Sequence, residues 1–134
     1  MPFMSKPIVE AVLSTPDGAR VTVQALVDSG SFYTIVRESM LPPQAARFPV
    51  RVPMRLGTAG RDGTLQVVSE TILEVTLCGK TIRIPAFLSP DLRREMLIGA
   101  GAMQDWEIAI ANDNGRTRVV VGRDVNDPEV TEVD

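Results

Sequence analysis

The chain has 134 residues, 44% of them hydrophobic and 23% charged, with a net charge of −3. This is the size and composition of one globular domain with its own core. There is no histidine and one cysteine, Cys78, which excludes Ser-His-Asp and Cys-His catalysis, histidine zinc sites and an intrachain disulfide.

Short strand-like runs separated by turn chemistry dominate. Ile8 to Ser14 alternates loosely and is followed by the turn Pro16-Asp17-Gly18. Ala19 to Val27 is strongly β-prone, and Thr34 to Val36 is a short strand candidate that Leu41-Pro42-Pro43 keeps from continuing as a helix. Val50 to Leu56 and Thr64 to Ser69 read as strands around a tip of Gly57, Thr58, Ala59, Gly60, Arg61, Asp62 and Gly63. Three glycines in those seven residues predict a mobile hairpin tip. Thr71 to Leu77 and Thr81 to Leu88 flank Cys78-Gly79-Lys80 as a further hairpin, in which Cys78 reads as a small buried hydrophobe. Ala102 to Trp106 begins one short helix, and Glu107 to Ala111 and Thr117 to Val121 flank an Asn114-Gly115 turn. About nine short strands and one helix predict an all-β barrel or sandwich in a single domain over 1–123. The segment 124–134, with five acids and no bases, reads as a mobile acidic tail.

Acids and bases are interspersed up to that tail, so no clustered basic face points to nucleic acid. No run approaches the roughly 18 apolar residues that span a bilayer. Residues 1–10 lack a basic region followed by an apolar stretch, the mark of a secretory signal. The expectation is a cytoplasmic protein with no membrane partner.

Two elements carry possible chemistry. Asp28-Ser29-Gly30 follows the apolar segment Ala25-Leu26-Val27, so a carboxylate ends a buried strand just before a tight turn. Taken alone, Asp-Ser-Gly is also good surface-turn chemistry. Some seventy residues later comes Met96-Leu97-Ile98-Gly99, where bulky apolar residues before a glycine let a buried strand pass close behind another backbone segment. By itself this is equally a core strand that ends in a turn. Gly99-Ala100-Gly101 hints at a dinucleotide loop, but Gln104 stands where a third glycine belongs, and no parallel βαβ unit surrounds it.

An apolar strand entering Asp-Ser-Gly, a glycine-rich hairpin, then Leu-Ile-Gly before a short helix resembles the retroviral-type (retropepsin-like) aspartic proteases and their bacterial relatives. The resemblance runs in order from roughly Ile8 to Val121. It implies a retropepsin-like closed β-barrel with a flap hairpin, at 57–63, and one short helix near the C-terminal third. It also implies aspartic endopeptidase activity on peptide or protein substrates, with no cofactor and no metal. The family's catalytic aspartate falls on Asp28. Ser29 takes the place whose hydroxyl braces the two active-site loops, Gly30 allows the close turn, and Leu97, Ile98 and Gly99 form the supporting second motif. Hydrolysis without metal or histidine needs a base for water and an acid for the leaving nitrogen, roles that two carboxylates sharing one proton fill. The chain carries one such motif, because Asp17-Gly18 and Asp62-Gly63 lack the intervening Ser or Thr. A homodimer is therefore implied.

Departures from the family stand beside this. Viral members commonly carry an aspartate two residues after the motif glycine, where this chain has Phe32, and a paired arginine after the second glycine, where it has Ala100. Both halves of one ion pair are replaced together, which makes the adjoining subsite more apolar. An acid found in longer relatives is Gly101 here, and the chain continues through a hairpin beyond the helix. Three competing readings remain: a catalytically silent dimerisation or peptide-binding module of the same fold, an unrelated β-barrel ligand-binding domain, and a Ser-Lys hydrolase using Lys6 or Lys80, the only lysines.

Overall fold

Seven inward-pointing residues spaced by two, from Leu65 to Leu77, define the longest strand of the protein. In the computed structural model, which describes residues 6–57 and 64–128, this is β5 (Thr64–Leu77). Before it come β1 (Ile8–Ser14), β2 (Arg20–Val27), β3 (Ile35–Arg37), a 3-10 turn at Glu38–Met40 and β4 (Phe48–Gly57). After it come β6 (Lys80–Ser89), β7 (Met96–Ile98), α1 (Ala100–Asp105), β8 (Ile108–Asp113) and β9 (Arg116–Val121).

Hydrogen bonding runs β1-β2-β7-β3-β6-β5, and β5 pairs back with β1 through Val12↔Thr76, Leu13↔Val75 and Ser14↔Glu74. The sheet thereby closes into a six-stranded barrel, which leaves none of these strands as a long free edge. It is the all-β, retropepsin-like closed barrel with one short helix that the sequence predicts. β4 stands outside the ring and pairs with the first half of β5, from Phe48↔Glu70 to Gly57↔Thr64, with a register shift between Pro49 and Met54. β8 and β9 form a separate two-stranded sheet.

β7 is the strand that organises the site. It lies between β2, which it joins in parallel, and β3, which it joins antiparallel. The chain from β2 to β3 must therefore cross over the end of β7. Arg37 fixes the approach to β7: its guanidinium donates to the carbonyls of Leu92, Arg93 and Arg94, and its amide donates to Glu95 O. Val36, Met96 and Ile98 have no exposed surface and join Val23, Leu73, Val75 and Leu88 in the main core. Burying each such side chain is worth about 1.5–3 kcal/mol, which makes the centre of the barrel the rigid base of the site. A smaller apolar cluster, Ile35, Leu65 and Leu92 with Leu56, Phe87 and Leu97 against it, lies toward the root of the β4–β5 hairpin.

Several local expectations change. The runs 64–69 and 71–77 are one continuous strand. Cys78 is exposed, not buried: it occupies the two-residue turn between β5 and β6 with φ 50°, followed by Gly79 at φ 74°, the pair of positive dihedrals that a tight hairpin demands. Its thiol donates weakly to Val119 O, and partial burial raises its pKa. The helix begins at Ala100, two residues earlier than its composition suggests. Beyond β9 the chain turns back on β6, where Val125 N–H donates to Thr81 O at 2.8 Å and Asp124 Oδ2 accepts from Thr81 N–H at 3.4 Å. The acidic segment is thus tied to the barrel at its start, and residues 129–134 lie outside the described part.

Candidate active site

Asp28 is the first residue after β2, and its amide extends the β2–β7 ladder by donating to Ile98 O at 2.9 Å. That bond places the half-buried Asp28 side chain at the mouth of the barrel, directly beside the second motif. One carboxylate oxygen, Oδ1, accepts the Gly30 amide at 2.9 Å, and Asp28 O accepts the Ser31 amide at 3.2 Å. The turn so formed is tight: a Cβ on Gly30 would lie 3.1 Å from Asp28 Oδ1. Any side chain there would crowd the carboxylate.

The loop 28–34 is held to the β7–α1 junction by bonds in which the junction amides donate and the loop accepts. Ala100 N–H donates to Ser31 O at 2.6 Å, Gly101 N–H to Phe32 O at 3.0 Å, and Gly99 N–H to the buried Thr34 hydroxyl at 3.2 Å. The first amides of a helix have no partners within it, and here the loop carbonyls supply them. A Cβ on Gly99 would sit 2.4 Å from Tyr33 O and 2.5 Å from Phe32 O. The glycine of the second motif is therefore a requirement of backbone contact.

Of the residues singled out in the sequence, the fold brings together Asp28, Ser29, Gly30, Leu97, Ile98 and Gly99. Ile98 and Gly99 are buried and Leu97 is half-buried, whereas Ser29 is exposed and its hydroxyl has no partner among the described residues. Gly57 ends β4 opposite Thr64; Thr58, Ala59, Gly60, Arg61, Asp62 and Gly63 lie outside the described residues. The sequence assigns no site role to Ser31 or Thr34. The Ser31 hydroxyl donates to Tyr33 O at 2.9 Å, and both residues hold the loop's shape. Their only sequence signal is position, three and six residues after Asp28.

Phe32 occupies the space left open by the missing Gly101 side chain, its Cζ 3.2 Å from where that Cβ would stand. The replacements noted at Phe32 and in the Ala100-Gly101 pair thus meet in one contact. No other acid occurs in 25–36 or 96–104, the two segments that build the site. Among the described residues no three His, Cys, Asp or Glu side chains gather into a metal-binding group, and no helix is long and apolar enough to cross a membrane.

No protein-family model and no curated protein sequence matches the chain. Among solved structures it is similar to EIAV protease complexed with the inhibitor HBY-793, with a TM-score of 0.56 over 78% of this chain and 91% of that one, at 14% identity. At that identity the likeness is one of fold: both chains have the retroviral-protease barrel.

Proposed function

We propose that the protein is an aspartic endopeptidase that acts as a homodimer, with the Asp28 carboxylates of two subunits activating one water. The observation that carries this reading is the lone carboxylate at the end of β2, in a loop bonded to the β7–α1 junction, on a barrel of the retroviral-protease type. One carboxylate takes a proton from water as it attacks the peptide carbonyl. The other, protonated, gives its proton to the carbonyl oxygen. The proton taken from water then passes to the nitrogen as the C–N bond breaks, and a hydroxyl of the intermediate returns its proton to the pair, so that the amine leaves neutral. Like charges about 3 Å apart cannot both ionise, so the pair holds the single proton this chemistry needs. The exposed Ser29 hydroxyl is free to reach the loop of the second subunit, and the hairpin tip at 57–63 serves as a lid that excludes bulk water.

The second carboxylate has no source within the two segments that build the site, so activity requires pairing of chains. Sedimentation at micromolar concentration is expected to give a dimer, and peptide cleavage is expected to fall with the square of concentration once dilution splits it. A strictly monomeric species that still cleaves peptides would eliminate the shared-site mechanism.

A further inference from the structure

Two aromatic rings stand in solvent within five residues of Asp28. Phe32 is 62% exposed and Tyr33 is 41% exposed. Neither ring is loosely placed. They meet edge to face, with centroids 5.2 Å apart at 88°, and Tyr33 packs on Phe87 at 5.1 Å. Phe32 rests against Gly101, and its carbonyl is bonded to the Gly101 amide. A single exposed aromatic is ordinary, but contiguous apolar surface held in place beside a polar site marks a binding surface.

Two further observations say what covers it. Phe87, under Tyr33, belongs to the smaller apolar cluster with Leu56 and Leu97, and Leu56 lies at the root of the β4–β5 hairpin. One apolar cluster thus packs against both the root of the hairpin, at Leu56, and Phe87, on which Tyr33 of the Asp28 loop rests. The segments 28–34 and 96–104 also contain no charged side chain except Asp28 itself. An anionic group brought against this rim would lose water and find no cation in these segments, and a cationic one would find only the Asp28 carboxylate.

We infer that Phe32 and Tyr33 are specificity-determining residues that hold a bulky apolar side chain, aromatic by preference, of the peptide lying across Asp28. Rigid rings offer large contact area at small entropic cost, and edge-to-face geometry extends the Phe32–Tyr33–Phe87 series by one more ring. The inference rests on the endopeptidase reading for its substrate and goes beyond it in naming the class of side chain selected.

The test is a cleavage profile of a peptide library by wild type and Phe32→Ser, followed by kcat/KM on two peptides differing only by Phe or Gly at the selected position. Wild type is expected to select aromatic or large aliphatic side chains at one fixed distance from the scissile bond. The Phe-over-Gly ratio is expected to fall about tenfold in Phe32→Ser, the scale of apolar pocket discrimination. A ratio is insensitive to the fraction of protein that folds. An unchanged ratio, or selection of charged side chains, overturns the inference. So does dissociation of Phe32→Ser to monomers at concentrations where wild type is paired, which would assign the ring to the subunit contact. If wild type cleaves nothing, the endopeptidase reading fails separately, and the same ratio is read from binding of the two peptides. Phe32-dependent preference for the aromatic peptide then upholds the inference, and equal binding overturns it.

Discussion

Asp28→Asn is expected to fold and dimerise as wild type does and to lose peptide cleavage almost completely. Asparagine is nearly isosteric, and its carbonyl oxygen can still accept the Gly30 amide that Asp28 Oδ1 accepts at 2.9 Å. The Asp28 amide bond to Ile98 O involves only backbone and is untouched. What disappears is the ability to take a proton from water, and removal of a catalytic base commonly costs factors of about 100 to 10,000. In a symmetric dimer the substitution strikes both halves of the pair, so neither base nor acid remains. Hydrolysis of a wild-type substrate by the purified variant is the measurement. Cleavage at a rate comparable with wild type would refute the aspartic-protease reading.

Gly99→Ala is expected to produce the largest loss of stability of any single methyl added to this site. The new Cβ would lie 2.4 Å from Tyr33 O and 2.5 Å from Phe32 O. Both obstacles are backbone, so relief requires the loop 28–34 to move off the β7–α1 junction. That movement stretches the bonds from Ala100 to Ser31 O and from Gly101 to Phe32 O. Overpacking alone costs about 1–3 kcal/mol, and each of the two weakened bonds adds about 1 kcal/mol, so a loss of about 3–5 kcal/mol follows. Thermal unfolding is expected to shift down by roughly 10 °C or more. Gly101→Ala supplies the contrast. There the Cβ would meet Phe32 Cζ at 3.2 Å and Phe32 O at 3.3 Å, contacts that a shift of a few tenths of an ångström relieves, and the loss should be smaller. Equal melting of Gly99→Ala and wild type would show that the contact between the two motifs is not rigid.

The two motifs were legible because each is a short, local statement. An apolar strand entering Asp-Ser-Gly, and apolar residues before a glycine, need no knowledge of the fold. What escaped reading was set by contacts distant in sequence. β5 read as two strands because Ser69 and Thr71 occupy inward positions in an otherwise apolar face. The Thr71 hydroxyl is satisfied by Ala46 O at 2.7 Å, a partner twenty-five residues away. The start of α1 was missed for a similar reason. Its amides are capped by carbonyls of Ser31 and Phe32, seventy residues upstream, and no local Ser or Asp announces the first turn. Cys78 read as buried because its neighbours are apolar, whereas the tight turn between β5 and β6 places it outside. The insertion of β7 between β2 and β3 has no local signature, since a three-residue strand specifies neither its neighbours nor its direction.

β5 belongs to two structures at once. Its last residues close the barrel against β1 through three residue pairs, while its first residues carry β4 and the root of the hairpin. A 14-residue strand is about 45 Å long, so it acts as a beam clamped at one end and loaded at the other. The clamp is the long β5–β6 ladder, from Ser69↔Leu88 to Leu77↔Lys80. The break in register between Pro49 and Met54 frees the neighbouring strand from following the beam residue by residue. Force applied at the root of the hairpin, where β4 ends and β5 begins, is therefore carried through β5 into the wall of the barrel, where Leu73 and Val75 have no exposed surface.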